Sequence, residues 1–173
     1  IRSATNDRDD DYGGSLDNRL RLMREIVAAV CEVLPADRVG VRLSPQGGPG
    51  GTEDAEPGET YPAAAKALAG LGLAYLHVIR PNSHTGDGKD SGGDDIVHAM
   101  RKQFDGPFIA NGNFEPEEAA QWIAEGHADA ITFGRMFLAN PDLPERIAKG
   151  GPYNDPDEST FYGGGAEGYT DYP

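Results

Sequence analysis

The sequence predicts an α/β protein built on a parallel sheet, and three observations carry that prediction. Helical and strand-like segments alternate in the order α-β-α-β-α-β-α-β-α, a pattern that implies right-handed crossovers between parallel strands. The 24 glycines and 13 prolines among 173 residues exceed the roughly 12% of average usage, and they gather at 45–58, 81–93 and 150–173. Long stretches follow the strands, whereas the turns into strands are short, as at Pro35–Arg38 and Gly70–Gly72. Two architectures fit: an open doubly wound sheet, or part of a (β/α)8 barrel. A full barrel takes about 250 residues and eight strands, so four strands here amount to half of one.

Each element follows from local chemistry. Residues 1–14 are polar and acidic and form an entry loop. Ser15 is a good helix N-cap, with Asn18 three residues on. Leu20, Met23, Ile26, Val27, Val30, Cys31 and Leu34 recur in steps of three and four. They predict an amphipathic helix from Leu16 to Leu34, stopped by Pro35. Val39–Leu43 is a short apolar strand with Arg42 inside it, followed by a loop over 44–59. Thr60–Gly70 reads as a helix with Ala64, Ala65 and Leu68 on one face. Leu73–Ile79 is a second strand and 81–92 a polar loop. Asp94–Phe104 is a helix carrying Ile96, Val97 and Met100, and Phe108–Ala110 a third strand. Glu115–Glu125 is a helix with Pro116 near its start, and Ala130–Phe133 is the fourth strand. A short helix covers Asp142–Lys149. The βα units thus run over 15–149, and a glycine- and tyrosine-rich tail, loosely held by its composition, over 150–173.

Charge and composition exclude several functions. The net charge of −14 leaves no basic footprint for nucleic acid. No apolar run approaches the roughly 20 residues of a membrane helix, so neither nucleic acid nor membrane is expected as a partner. The single cysteine rules out an internal disulfide framework and a cysteine metal cluster, and a cytoplasmic setting is the default. The chain opens on Ile1-Arg2-Ser3 without a signal sequence, which reads as an internal cut, a processing product or a join.

Some motifs dissolve on inspection. Asp7–Gly13 mimics a calcium loop, but Tyr12 stands where the glycine should follow the third ligand, and Asn18 where the bidentate Glu should be. Gly163–Gly168 matches G-x-G-x-x-G, yet follows no strand and opens no helix. His77, His84, His98 and His127 lack metal-ligand spacing, and no metal site is expected. His98 and His127 read as helix-surface residues, His77 as packed in its strand, and only loop residue His84 stays open. Cys31, on an apolar helix face, reads as a buried inert thiol.

Three signals carry chemistry. Arg42 lies near the C-terminal end of an apolar strand and so at the mouth of the fold. A buried cation there needs a partner, either a salt bridge to a neighbouring strand or a bound ligand. Asn111-Gly112-Asn113-Phe114 follows the third strand, and glycine lets a ligand approach the backbone N–H groups that suit a phosphate. Phe133-Gly134-Arg135 ends the fourth strand and adds a guanidinium able to clamp a phosphate bidentately. Turns after consecutive late strands are where barrels bind phosphate most often.

Taken together, these residues resemble the C-terminal half of the Old Yellow Enzyme family of flavin-dependent ene-reductases. The carrying segments are Asn6-Asp7-Arg8 with Asp11–Ser15 and Asn18-Arg19; Val41–Pro45; Ala110–Phe114; Phe133–Arg135 with Asn140–Leu143; and Thr160–Tyr162 with Gly168–Pro173. They occur in family order across nearly the whole chain. The resemblance implies a (β/α)8 barrel with FMN at its C-terminal mouth and NAD(P)H as electron donor, reducing the C=C bond of α,β-unsaturated carbonyl compounds (enones). Arg42 matches the family arginine at the flavin ring, Gly112 and Asn113 one phosphate turn, Gly134 and Arg135 the other, and Tyr162 a tyrosine lining the substrate pocket. No catalytic residue is assigned to this chain, because the substrate-holding pair and the proton-donor tyrosine belong to the absent first half. The expectation is a split enzyme, active only with a complementary N-terminal half-barrel chain. The alternative is a non-catalytic phosphate-binding half-barrel that homodimerises.

Overall fold

The computed structural model describes residues 1–45, 54–81, 93–162 and 164–173. Most of the loops expected over 44–59 and 81–92, His84 and Gly163 of the G-x-G-x-x-G match lie outside them. Helix α1 (Leu16–Cys31) opens on Ser15, whose Oγ accepts from the Asn18 amide at 3.3 Å. It ends three residues short of the expected Leu34. The residue before a proline is driven out of the helical region, so the chain ahead of Pro35 unwinds into a turn with Leu34 N donating to Val30 O at 2.9 Å.

The remaining elements follow in the expected order. They are β1 (Gly40–Leu43), α2 (Pro57–Leu68), β2 (Tyr75–Ile79), α3 (Gly93–Gln103), β3 (Phe108–Asn111), α4 (Pro116–Ala124), β4 (Ala130–Thr132), α5 (Arg135–Ala139) and α6 (Leu143–Lys149). Helix α2 begins three residues earlier than expected, at Pro57, where the missing N–H costs no hydrogen bond. Helix α5 is absent from the periodicity because five residues show less than two turns of pattern.

The strands form one parallel sheet in the order β1-β2-β3-β4. Its register sorts the side chains into two faces. Leu43, Leu76, Val78, Phe108 and Ala110 all point to one face and are buried. Tyr61, Ala64, Ala65 and Leu68 of α2 and Val97 and Met100 of α3 belong to the same core. Gly40, Arg42, Tyr75, His77, Ile109, Asn111 and Thr132 point to the other face, and none of them is buried. A doubly wound sheet covers both faces; among the described residues, helices pack on one face of this sheet only. The fold is therefore half of a (β/α)8 barrel, with the uncovered face forming the inner wall. At the N-terminal end of that wall a Cβ on Gly40 would stand 2.3–2.8 Å from the Tyr75 ring, so the ring lies directly against the β1 backbone.

Two histidines depart from expectation. His98 is half-buried rather than on the open helix surface. Its ring sits 5.0 Å from Trp122 and 4.1 Å from His127, and its Nε2 is buried without a hydrogen-bond partner among the described residues. His127 lies in the turn after α4 and pairs with Glu125 at 3.0 Å. Helices α3 and α4 belong to successive crossovers, and these side chains meet between them. Cys31 is half-buried rather than buried, packed at the margin of the core.

Phe108 is fully buried at the centre of the helix-covered face. Phe108→Ala should cost about 3–5 kcal/mol, measured as a shift of the denaturant midpoint at constant m-value.

Candidate functional site

The C-terminal ends of β3 and β4 carry two short turns that meet. After β3, Gly112 has φ 125° and Asn113 φ 47°, a backbone path that a side chain at 112 would strain. Asn111 fixes the turn to the next strand, its Nδ2 donating to Thr132 O at 2.8 Å. After β4, Phe133 and Gly134 lead into α5, so Arg135 is the first residue of a short helix and not a strand end as expected. Gly112, Asn113, Gly134, Arg135 and Tyr162 all line one cavity of about 290 Å³, together with Phe161 and Tyr169. A second cavity, of about 420 Å³, shares Asn113, Gly134 and Arg135.

The tail forms one wall of the site and is not loosely held. Asn140 is fully buried. Its Nδ2 donates to Met136 O at 2.8 Å and Asn154 O at 3.1 Å, and its Oδ1 accepts from Asn154 N at 2.7 Å. Tyr172 OH accepts from Asp157 N at 2.8 Å, and Arg146 holds Pro173 O at 2.6 Å. A Cβ on Gly168, at φ +72°, would fall 1.9 Å from Thr160 Oγ1, so this glycine lets the tail double back beside Phe161 and Tyr162. Tyr162 itself is 92% exposed, with its ring edge-on to Phe161 at 6.5 Å.

Arg135 fits an anion. Its guanidinium lies 3.4 Å from Glu158 and 5.9 Å over the Phe161 ring, and its side chain is 44% exposed. An exposed pair of this kind contributes at most about 1 kcal/mol, so a better-placed phosphate can displace the Glu158 carboxylate.

Arg42 stands apart. It projects from the inner face of β1, in register with His77, and lines a different cavity of about 740 Å³ along β1 and α1. Among the described residues it makes no ion pair. The structure thus groups Gly112, Asn113, Gly134, Arg135 and Tyr162 and leaves Arg42 two strands away from β3.

Sequence reasoning missed His77 and Thr132 as inner-wall residues. The His77 Nε2 lies 3.1 Å from Thr132 Oγ1. Burial, and then the positive charge of Arg42, holds the His77 pKa below its ordinary 6.5. The signal was legible: Val41-Arg42-Leu43 and Leu76-His77-Val78 each carry one polar residue at the same strand phase.

Comparison with known proteins decides the family. Residues 1–154 match the NADH:flavin oxidoreductase / NADH oxidase family. The chain belongs to this family. It is 40% identical to 12-oxophytodienoate reductase 2 of Arabidopsis thaliana over the whole chain, covering 46% of that protein. Among solved structures it resembles morphinone reductase in complex with tetrahydroNAD, with 45% identity and a TM-score of 0.86, covering 99% of this chain and 45% of the other. The old yellow enzyme from Trypanosoma cruzi matches 99% of this chain and 45% of its own, at 37% identity and a TM-score of 0.90. The chain spans about half the length of the relatives it matches.

Because the folded His77 pKa lies below that of the unfolded chain, its neutral form is the stabilised one. Its contribution is present above pH 6.5 and is lost as pH falls through the folded value. A His77 titration followed by NMR should show a midpoint below 6.5, and Arg42→Met should raise it. A midpoint at or above 6.5, or no response to the loss of Arg42, contradicts this electrostatic account.

Proposed function

We propose that this chain forms the phosphate-holding half of an FMN-dependent oxidoreductase of the Old Yellow Enzyme type. It would use NAD(P)H to reduce the activated C=C bond of α,β-unsaturated carbonyl compounds. The observation that carries the reading is the convergence of the Gly112-Asn113 and Gly134-Arg135 turns on one cavity. Family membership supports a flavin. The reductase relatives, one of them solved with a nicotinamide analogue, support the donor and the class of substrate.

The donor set suits the phosphate of FMN. Backbone N–H groups at the two glycine-containing turns would meet its oxygens, and Arg135 would add a bidentate cation. When bound, FMN supplies hydride chemistry that no side chain of this protein can perform. Arg42, on the inner wall, would place a fixed positive charge beside the ring and favour negative charge there. Tyr162, at the rim, would shape substrate binding rather than deliver a proton.

The rest of the site must come from another half-barrel. Four strands cannot close a barrel, and no described element packs on the inner wall. Helix α1 also exposes Leu22 (54%) and Ile26 (53%) beside β1, an apolar stripe that a further strand and helix would cover. This complementary N-terminal half would bring the substrate-holding residues and the proton donor, either as part of a longer polypeptide or as a separate chain. The intact mass of every polypeptide in purified, yellow material distinguishes these two arrangements. This 173-residue chain alone should bind no FMN tightly and show no ene-reductase activity, and the complementary half should restore both. A monodisperse, flavin-loaded, active sample of this chain alone refutes the reading.

Within the completed barrel, Arg135→Ala should weaken FMN about 10- to 100-fold, the worth of a charged hydrogen bond, as read by flavin fluorescence. Unchanged affinity sinks the clamp. Arg42→Met should lower the flavin reduction potential and slow hydride uptake from nicotinamide. A redox titration without a shift removes Arg42 from the ring.

A further inference from the structure

We propose that Arg80 is a positioning residue that presets the Gly112-Asn113 turn for phosphate and cancels the carboxylate of Glu118 beside it. The inference rests on reading that turn as the phosphate site of a bound flavin.

Arg80 follows β2, and its side chain is only 15% exposed. A guanidinium this deep needs partners for its donors, and it spends them on one neighbouring turn and the helix behind it. Its Nε donates to Gly112 O at 3.1 Å and its Nη2 to Asn113 O at 3.2 Å. Its Nη1 meets Glu118 Oε1 at 2.5 Å, and Asp94 lies 3.7 Å from Nε. The guanidinium plane sits 4.0 Å from the Phe114 ring centroid. Its own backbone N–H is taken by Asn111 O at 2.7 Å. One side chain thus grips both carbonyls of the turn, rests on the aromatic ring that follows it and neutralises a carboxylate in the first turn of the next helix.

Peptide geometry gives these contacts a direction. In a planar trans peptide the C=O of one residue and the N–H of the next point opposite ways. Drawing the Gly112 and Asn113 carbonyls toward Arg80 therefore turns the Asn113 and Phe114 N–H groups away from it. Asn113 sits at φ 47°, where few residues with a side chain settle unaided, and two charge-assisted bonds hold the turn there. Charge gives a second reason. The first turn of helix α4 carries Glu117 and Glu118, with Glu115 at its N-cap, which is hostile ground for a phosphate. Arg80 offsets the carboxylate that reaches back toward the turn.

A residue needed only for folding would weaken every flavin equally, whereas one that presets a phosphate turn discriminates between FMN and riboflavin, which lacks the phosphate. The experiment measures both dissociation constants by fluorescence in the complete barrel. Arg80→Met should weaken FMN about tenfold or more while riboflavin changes less than about twofold. Arg80→Lys, which keeps the charge but cannot span both carbonyls and Glu118, should fall between. Adding Glu118→Gln to Arg80→Met should restore part of the FMN affinity and leave riboflavin unmoved. Equal losses for both flavins, or no loss of FMN, overturn the proposal. If Arg80→Met does not fold, the FMN-to-riboflavin ratio in Arg80→Lys decides in the same way. A parent protein that binds both flavins equally well removes the phosphate reading itself and the inference with it, an outcome distinct from any seen only in the variants.

Discussion

Everything in this half-barrel depends on the one-sided burial of its sheet. In a parallel sheet successive side chains alternate between faces, and here the helices cover only one of them. Leu76, Val78 and Phe108 are shielded completely, while Arg42, His77 and Asn111, which alternate with them, remain on an unshielded wall. The apolar face supplies the folding energy, at roughly 25 cal/mol per Å² removed from water. The polar wall is left for chemistry. The same alternation that stabilises the structure thus leaves it incomplete, because a curved wall of four strands encloses nothing alone.

The site is assembled by polar contacts placed at the ends of that sheet. Asn111 ties the third strand's turn to the fourth strand. Buried Asn140 ties the tail to the end of α5. Neither residue needs to touch a ligand to matter, since each fixes the backbone on which ligand-facing groups stand. This local order is laid over a chain of net charge −14. An anion would be attracted to it only where cations are concentrated and held, and Arg80 and Arg135 stand at the two turns that meet.

Much of this was legible in the residues. Apolar steps of three and four marked α1, the central strands stood out as short apolar runs, and the glycine turns after β3 and β4 stood out as the pair that now line one cavity. The motifs from Asn6 to Pro173 pointed to the family. What escaped had physical causes. The Pro35 effect reaches back three residues and shortens α1. Helix α5 is too brief to show a period, which moved Arg135 from a strand end to a helix start. His98 looked like a surface residue because its partners, Trp122 and His127, lie on another crossover and are joined to it only by packing. The grip of Arg80 on residues 32 and 33 positions further on has no local sequence signature, and the tail's ties likewise join distant residues.

The contact between Gly40 and Tyr75 gives the half-barrel a direction. Where β1 gives up its side chain, the aromatic ring of β2 takes the space against its backbone. The wall is thick at the ends where the strands begin. Where β3 and β4 finish, the wall ends in two short turns that line a cavity. The backbone of β1 is thus sealed by a ring where that strand begins, while the backbone after β3 and β4 opens onto a cavity.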